Sequence, residues 1–383
     1  MSESRARAGR DVVASLVAGL AVAAITASTA AAQELKVVTG GLANPRGMSF
    51  GPGGHLYVAE SGRGGSGRCV SGPEGGEVCV GATGAITRVD VSNGRQRRIV
   101  ARLPSLAVQE GADRGANATG PNDVSFNGRT AYFTIGLGAA PAARAEFGRA
   151  GRRLGTLHRR NSGGKVVRVA DLANYEARRN PDAGQPGAAL DSNPYSVDAS
   201  IAGRVLVTDA GGNDLLQVGR RGRIRTLSVF PTRQTPAPPF LNLPPGAEIP
   251  YQAVPTGVVR AGARTTYVGQ LTGFPFPAGT AQLFRVRGGG DPTVKARGFT
   301  TIVDVAVGRR GTVYVLQISA NGLAADPSPG KLIRISRNGR QTELAAGRLQ
   351  QPTGLAVAPN GDVYVANRGG SATRGQIVRI RAR

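Results

Sequence analysis

The stretch Asn44-Pro45-Arg46-Gly47-Met48-Ser49-Phe50, followed by Leu56-Tyr57-Val58-Ala59-Glu60, returns far along the chain as Gln351-Pro352-Thr353-Gly354-Leu355-Ala356-Val357, followed by Val363-Tyr364-Val365-Ala366-Asn367. Each copy is a short strand opened by a Pro turn and joined to a second strand across a Gly-containing hairpin, Gly51-Pro52-Gly53-Gly54 in one and Pro359-Asn360-Gly361-Asp362 in the other. Four weaker copies open at Pro121, Pro194, Pro255 and Ile302, and their second strands are centred on Phe133, Val207, Val268 and Tyr314. A third strand recurs as Ala85–Val89, Lys165–Val169, Gln282–Val286, Lys331–Ile335 and Gln376–Ile380, and a fourth precedes the next copy, as in Gln341–Leu344. The repeating unit is therefore a strand meander without a helix, and six such units predict an all-β, six-bladed β-propeller.

The sixth copy has no room for a fourth strand before Arg383, whereas Leu35-Lys36-Val37-Val38-Thr39 lies just before the first copy in the place that the Leu344 segment holds before the sixth. The N-terminal strand is expected to close the last blade and cover its edge. An open solenoid of the same units would need polar capping repeats, and none is visible.

Composition agrees with one large all-β unit. The 383 residues include 57 Gly and 24 Pro, 40% hydrophobic residues, 5% aromatics and no Trp, so the core must pack with Val, Leu, Ile and Ala. Arg5, Arg7 and Arg10 precede an uncharged run from Val12 to Ala32 that ends Ala30-Ala31-Ala32 before Gln33, the layout of a secretory signal peptide. A membrane anchor is the competing reading. Ser15, Thr26, Ser28, Thr29 and the small residues at the end favour cleavage, with residues 1–32 as the signal peptide and 33–383 as the propeller domain. The mature chain is then expected to be secreted or extracytoplasmic, with no membrane span. Cys69 and Cys79, close together in a Gly-rich loop, read as a disulfide, because a zinc site needs further Cys or His ligands and neither His55 nor His158 is near in sequence.

The net charge of +24 comes mostly from Arg scattered through the whole chain. No basic stripe or block gives a motif for specific nucleic-acid binding, and the expected partner for such a surface is an anionic cell-envelope polymer. Catalytic signatures are thin. His55 falls in a hairpin and His158 in an Arg-rich insertion, no elbow motif marks a nucleophile, and Gly288-Gly289-Gly290 has no helix after it to cradle phosphate.

In a propeller the first strand of each blade lines the axis, so polar residues in register there mark the candidate site. The loop positions Arg46, Asn122, Tyr195, Thr256, Val303 and Thr353, each followed by Gly47, Asp123, Ser196, Gly257, Asp304 and Gly354, bring a guanidinium, an amide, a phenol and two acids to one mouth. A second ring closes the next strand: Glu60, Ile135, Asp209, Gln270, Gln317 and Asn367. Two readings of that ring stand, ligand binding at the mouth and local backbone hydrogen bonding at strand ends. Oxygen-rich convergence suits a hard cation such as calcium, or a water-filled channel. The polar loop Gly111–Gly120 and the Pro-rich stretch Pro231–Pro250 are long enough to shape the mouth.

The Leu-x-x-Pro-x-Gly openings at Leu42 and Leu349, with Asp209-Ala210-Gly211-Gly212-Asn213-Asp214-Leu215-Leu216, resemble NHL and gluconolactonase-like propellers. A fuller resemblance, over nearly all of the mature chain, is to the ScyD/ScyE family. It rests on the Cys69–Cys79 loop running into Thr83–Val89, on Gly120–Val124, on Asn193–Asp198 and on Tyr267–Pro277. That family is named after accessory proteins encoded with scytonemin pigment biosynthesis. The resemblance implies an exported propeller of accessory or binding type that holds a small molecule or protein at the channel mouth. The gluconolactonase resemblance implies an alternative, a calcium-dependent lactonase or esterase with Asn122, Asp123 and Asp304 as metal ligands or base. Arg46 stands where those enzymes place a Glu, and no Pro-Asp-Gly loop supplies their catalytic Asp. The six-bladed quinone-cofactor sugar dehydrogenases fit less well, since neither His is placed as their base.

Overall fold

The strands nearest the axis of each blade are buried on both faces and read as near-continuous runs of Val, Leu, Ile and Ala, whereas the outermost strands carry exposed polar residues. In the computed structural model, which describes residues 34–71, 77–323, 325 and 329–381, the strands build six antiparallel sheets around an axis. The signal-peptide reading of residues 1–32 lies outside the described residues.

From the axis outward, blade 1 holds Pro45–Phe50, Leu56–Glu60, Glu77–Val89 and Gln96–Val108, with the short Cys69–Ser71 paired to the start of its third strand. Blade 2 holds Pro121–Asn127, Thr130–Ile135, Thr156–Arg160 and Val166–Asp171, and blade 3 Pro194–Asp198, Arg204–Asp209, Asp214–Gly219 and Ile224–Val229. Blade 4 follows with Pro255–Arg260, Thr265–Gln270, Ala281–Arg287 and Thr293–Phe299, and blade 5 with Ile302–Val307, Val313–Gln317, Pro329–Ile335 and Gln341–Gln350. Blade 6 has Gly354–Val357, Val363–Asn367 and Gly375–Ile380, and its outermost strand is Leu35–Leu42. That strand runs antiparallel to Gly375–Ile380, from Leu35 opposite Ile380 to Leu42 opposite Gly375, with two bulges that carry the sheet's twist. The protein is thus a six-bladed β-propeller closed by its N-terminal strand.

Six apolar clusters fill the six gaps between neighbouring blades. The two-residue period of a strand divides each blade between two of them. Val205 and Val207 pack toward blade 2 with Leu157, while Leu206 packs toward blade 4 with Val258 and Phe284. With no Trp available, Tyr251, Phe133, Phe230 and Phe299 supply the largest fully buried rings.

Two sequence readings need correction. Lys165–Val169 belongs to the fourth strand of blade 2, and the third is Thr156–Arg160. His158 therefore lies in a strand, not in an insertion. The segment looked like a loop because it carries a buried polar pair, Thr156 and His158, whose Oγ1 and Nε2 lie 2.9 Å apart. The Pro231–Pro250 insertion contains a hairpin of its own, Arg233–Pro236 against Glu248–Tyr251. Cys69 and Cys79 face each other across paired strands and form the disulfide. Among the described residues no helix is long and apolar enough to cross a membrane.

Candidate functional site

The innermost strands bring Gly47, Asp123, Ser196, Gly257, Asp304 and Gly354 into one register around the axis. The glycines are required by their neighbours. A Cβ on Gly47 would stand 2.2 Å from Asp123 Oδ1, and one on Gly257 2.7 Å from Asp304 Oδ1. Each carboxyl thus seats over the glycine of the preceding blade, and the two occupy blades three apart, on opposite sides of the ring. Asp123 Oδ2 accepts from Ser196 Oγ (2.7 Å) and Val197 N (2.8 Å), and its Oδ1 accepts from Val124 N (2.7 Å). Asp304 Oδ2 accepts from Leu355 N (2.7 Å) and Oδ1 from Val305 N (2.8 Å). These bonds tie blade 2 to blade 3 and blade 5 to blade 6. Burial raises the Asp123 carboxyl to about 7 against the pull of its hydrogen bonds. Burial, and then the charge of Asp123, raise Asp304 well above the usual carboxylate range.

Hydroxyls complete the belt. Ser61 donates to Pro121 O (2.9 Å), Thr134 to Tyr195 O (2.9 Å), Thr208 to Thr256 O (2.5 Å), Thr256 to Ile302 O (2.7 Å) and Thr353 to Pro45 O (2.6 Å). Each links one blade to the innermost strand of the next. Sequence reasoning missed this role, although Ser61, Thr134 and Thr208 flank second-ring residues and Thr256 and Thr353 are themselves ring residues.

Just above the acids, Arg46 donates from Nη2 to Ala118 O (2.9 Å) and from Nε to Ser61 Oγ (3.4 Å). It has no carboxylate partner among the described residues, and burial pulls its pKa down. Tyr195 reaches from blade 3 to pack against the cluster that holds Val303 and Leu355 of blades 5 and 6. Burial raises its phenol pKa, which the nearby Arg46 charge lowers in part. Asn122 donates from Nδ2 to Pro194 O (3.0 Å) and Asn193 Oδ1 (3.4 Å). The fold therefore brings Arg46, Asn122, Asp123, Tyr195 and Asp304 to the axis.

The second ring is buried and its oxygens serve the backbone. Glu60 Oε2 accepts from Ala43 N (2.8 Å), Asp209 Oδ1 from Asn193 N (2.5 Å), Gln317 Oε1 from Thr300 N (2.5 Å) and Asn367 Oδ1 from Gln350 N (2.7 Å). In all four the donor lies just ahead of the same blade's first strand, in the connecting loop for Ala43, Asn193 and Thr300 and at the end of blade 5's outermost strand for Gln350. Gln270 Oε1 instead accepts from Gln282 N (3.1 Å), and Ile135 has no acceptor to offer. A strand-end oxygen thus orients the segment that carries the mouth residue, as turn chemistry requires.

Neither histidine faces the axis residues. His158 stacks on Phe133 at 5.5 Å, and burial, aided by the charges of Arg153 and Arg168, lowers its pKa to about 3. It is neutral at physiological pH.

Comparison with known proteins agrees with this architecture. An NHL repeat model matches residues 349–372, where the chain passes from blade 5 into blade 6. No curated protein matches the chain. Among solved structures it is similar to a gluconolactonase from Xanthomonas campestris, with 8% identity and a TM-score of 0.53 over 91% of this chain and 90% of that one. A putative glucose dehydrogenase from Thermus thermophilus is similar at 17% identity and a TM-score of 0.50, covering 91% and 100%. A putative gluconolactonase is similar at 9% identity and a TM-score of 0.51, covering 92% and 94%. At such identities the likeness concerns the fold alone.

Proposed function

We propose that this chain is an exported, non-catalytic binding propeller of the ScyD/ScyE type, whose channel mouth takes a carboxylate-bearing, hydroxyl-rich small molecule or a protein group of that chemistry. The observation that carries this reading is Arg46. Its guanidinium lies at the mouth beside the Tyr195 phenol without a carboxylate partner among the described residues, while the oxygens of Asp123 and Asp304 accept backbone N–H bonds. A half-buried, unpaired guanidinium is a strong receptor for a carboxylate, because the pairing is bidentate and water is scarce. The Tyr195 hydroxyl, whose charge interacts with that of Arg46, stands nearby for sugar-like hydroxyls. The net charge of +24 favours an anionic envelope polymer as the source of such groups.

Calorimetric titration with gluconate, galacturonate oligomers and neutral glucose tests the reading. The acids should bind, glucose should not, and Arg46→Met should weaken acid binding at least tenfold. Acid binding that is absent, or unchanged in Arg46→Met, overturns it.

The second reading is a calcium-dependent lactonase or esterase using Asn122, Asp123 and Asp304. It is favoured by the two buried acids, on the innermost strands of opposite blades, whose charges act on one another. Lactone hydrolysis that is abolished by Asn122→Ala and Asp304→Ala would establish it in place of the first.

A further inference from the structure

Scattered through the sequence, many of the arginines gather in the fold on the face opposite the mouth. In blade 1 the pair Pro45 and Glu60 marks the mouth end of the sheet, while Phe50 against Leu56 and Val89 against Gln96 mark the other end. The hairpins that join strands one and two, and strands three and four, therefore turn on the far face in blades 1 to 5. In blades 3 and 4 these turns read Ala202-Gly203-Arg204, Arg220-Arg221-Gly222-Arg223, Arg260-Ala261-Gly262-Ala263-Arg264 and Arg287-Gly288-Gly289-Gly290.

Two grooves open between these turns, one of about 380 Å³ between blades 3 and 4 and one of about 450 Å³ between blades 2 and 3. Glycines let their walls approach. Gly290 N donates to Leu227 O (2.7 Å) and Gly290 O accepts from Ser228 Oγ (2.7 Å), which seats the Gly288–Gly290 turn of blade 4 against the outermost strand of blade 3. At the second groove a Cβ on Gly222 would stand 2.2 Å from Val169 O, so glycine is what lets the blade 3 hairpin reach blade 2. Gly203 lines one groove and Arg204, the next residue, lines the other, so the two adjoin.

Charge of one sign lines both. Arg204, Arg225, Arg260 and Arg264 line the first groove, Arg159, Arg168, Arg220 and Arg221 the second, and no acid lines either. Asp198 is taken by Arg260 (2.6 Å), and Asp171 by Arg144 (2.7 Å) and Arg168 (3.5 Å). Arg225 donates to Gln217 Oε1 (3.2 Å), a neutral acceptor. The exposed guanidiniums of Arg159, Arg204, Arg220, Arg221 and Arg264 have no hydrogen bond or ion pair among the described residues. Leu206, Leu227 and Val286 give the first groove an apolar lining beside its arginines. A cleft with low-dielectric walls and one sign of charge concentrates the field and draws in counter-charge.

We infer that these adjoining grooves form one binding surface for an anionic polysaccharide, whose acid groups pair with the free guanidiniums while its sugar rings lie along the apolar lining. Free guanidiniums in two neighbouring grooves suit a chain that repeats its charge better than a single small anion. A bilayer fits poorly. The large apolar side chains exposed in loops, Leu190, Phe240, Leu243, Phe274 and Leu323, all lie on the mouth face, and Val37 lies in the closing strand, so among the described residues the far face offers none to insert. Single-stranded nucleic acid fits poorly too, since its bases need exposed rings to stack on and the ring that lines these grooves, Tyr132, is half-buried. The surface lies at the opposite end of the sheets from Arg46, so the inference stands apart from the reading of the mouth.

The test is calorimetric titration with a heparin octasaccharide, a chain dense in sulfate and carboxylate groups, beside neutral dextran and a thymidine decanucleotide. The heparin chain should bind, more weakly as salt screens the exposed guanidiniums, and dextran should not. Arg204→Met combined with Arg264→Met should weaken binding by about tenfold or more, and so should Arg220→Met combined with Arg221→Met. All four side chains are exposed, so both double variants should unfold at the parent's temperature. Arg46→Met should leave heparin binding intact, which keeps failure here distinct from failure at the mouth. Binding that is absent at low salt, unchanged in both double variants, or lost in Arg46→Met overturns the inference. The decanucleotide bound as tightly as the heparin chain would make the face a general phosphate surface and overturn it equally.

Discussion

Glu60→Ala separates a ring of ligand donors from a ring of structural acceptors. Glu60 is 1% exposed and holds three donors: Ala43 N at 2.8 Å, Thr87 Oγ1 at 2.5 Å and the Arg98 guanidinium at 3.3 Å. Truncation leaves the Ala43 amide and the Thr87 hydroxyl buried without their acceptor, at about 1–3 kcal/mol each. Arg98 is half-exposed, so its share of the ion pair is at most about 1 kcal/mol. The expected loss is therefore roughly 4 kcal/mol. With an unfolding entropy near 2.1 cal/mol/K per residue, a domain of this size shifts by about 1.4 °C per kcal/mol, so the unfolding temperature should fall by about 5–6 °C. Glu60→Gln should lose about half as much, since one donor then meets an amide nitrogen. Scanning calorimetry of both variants and of Arg98→Ala is the assay. An unfolding temperature for Glu60→Ala within a degree of the parent, or one matched by Arg98→Ala, would refute the backbone-acceptor account. Because Ala43 lies just ahead of Arg46, acid binding at the mouth should weaken along with stability.

His158 predicts a pH effect. Its folded pKa of about 3 lies below the ordinary 6.5, so the unfolded chain binds the extra proton and the contribution is complete above pH 6.5 and lost as pH falls toward 3. At pH 4 the loss is roughly 3 kcal/mol. Since buried acids with raised pKa values act in the opposite direction, the readout is the difference from His158→Phe, whose stability should fall less between pH 7 and pH 4; equal falls would contradict it. Arg260 donates to Asp198 at 2.6 Å with both side chains 9% exposed, joining blade 4 to blade 3. Arg260→Met should cost about 3–5 kcal/mol by leaving Asp198 unpaired, seen as a lower urea midpoint at unchanged slope, and a midpoint equal to the parent's would show the pair to be dispensable.

The blades were legible because their inner hairpins depend on Pro and Gly at fixed places, and turn chemistry is written in residue type. Closure by Leu35–Leu42 followed from a strand pattern with no partner of its own. The third strand of blade 2 was hidden, since Thr156, His158, Arg159 and Arg160 look polar although Thr156 and His158 are buried and bonded to one another in the core. The second ring was ambiguous in principle: ligand binding and backbone capping both call for an oxygen at a strand end, and only the position of Ala43, Asn193, Thr300 and Gln350 distinguishes them.

The seam in blade 6 reverses the order of synthesis. Leu35 leaves the ribosome among the first residues of the ring, yet its ladder partner, Ile380, is made some hundreds of residues later. Local hairpins inside a blade need close only short loops, whereas this pairing must bring together ends whose separation makes it the slowest contact by topology. Until Gly375–Ile380 exists, Leu35–Leu42 has no edge to join and the Leu42 side chain has no completed cluster to enter. On topology, this seam is the contact expected to close last.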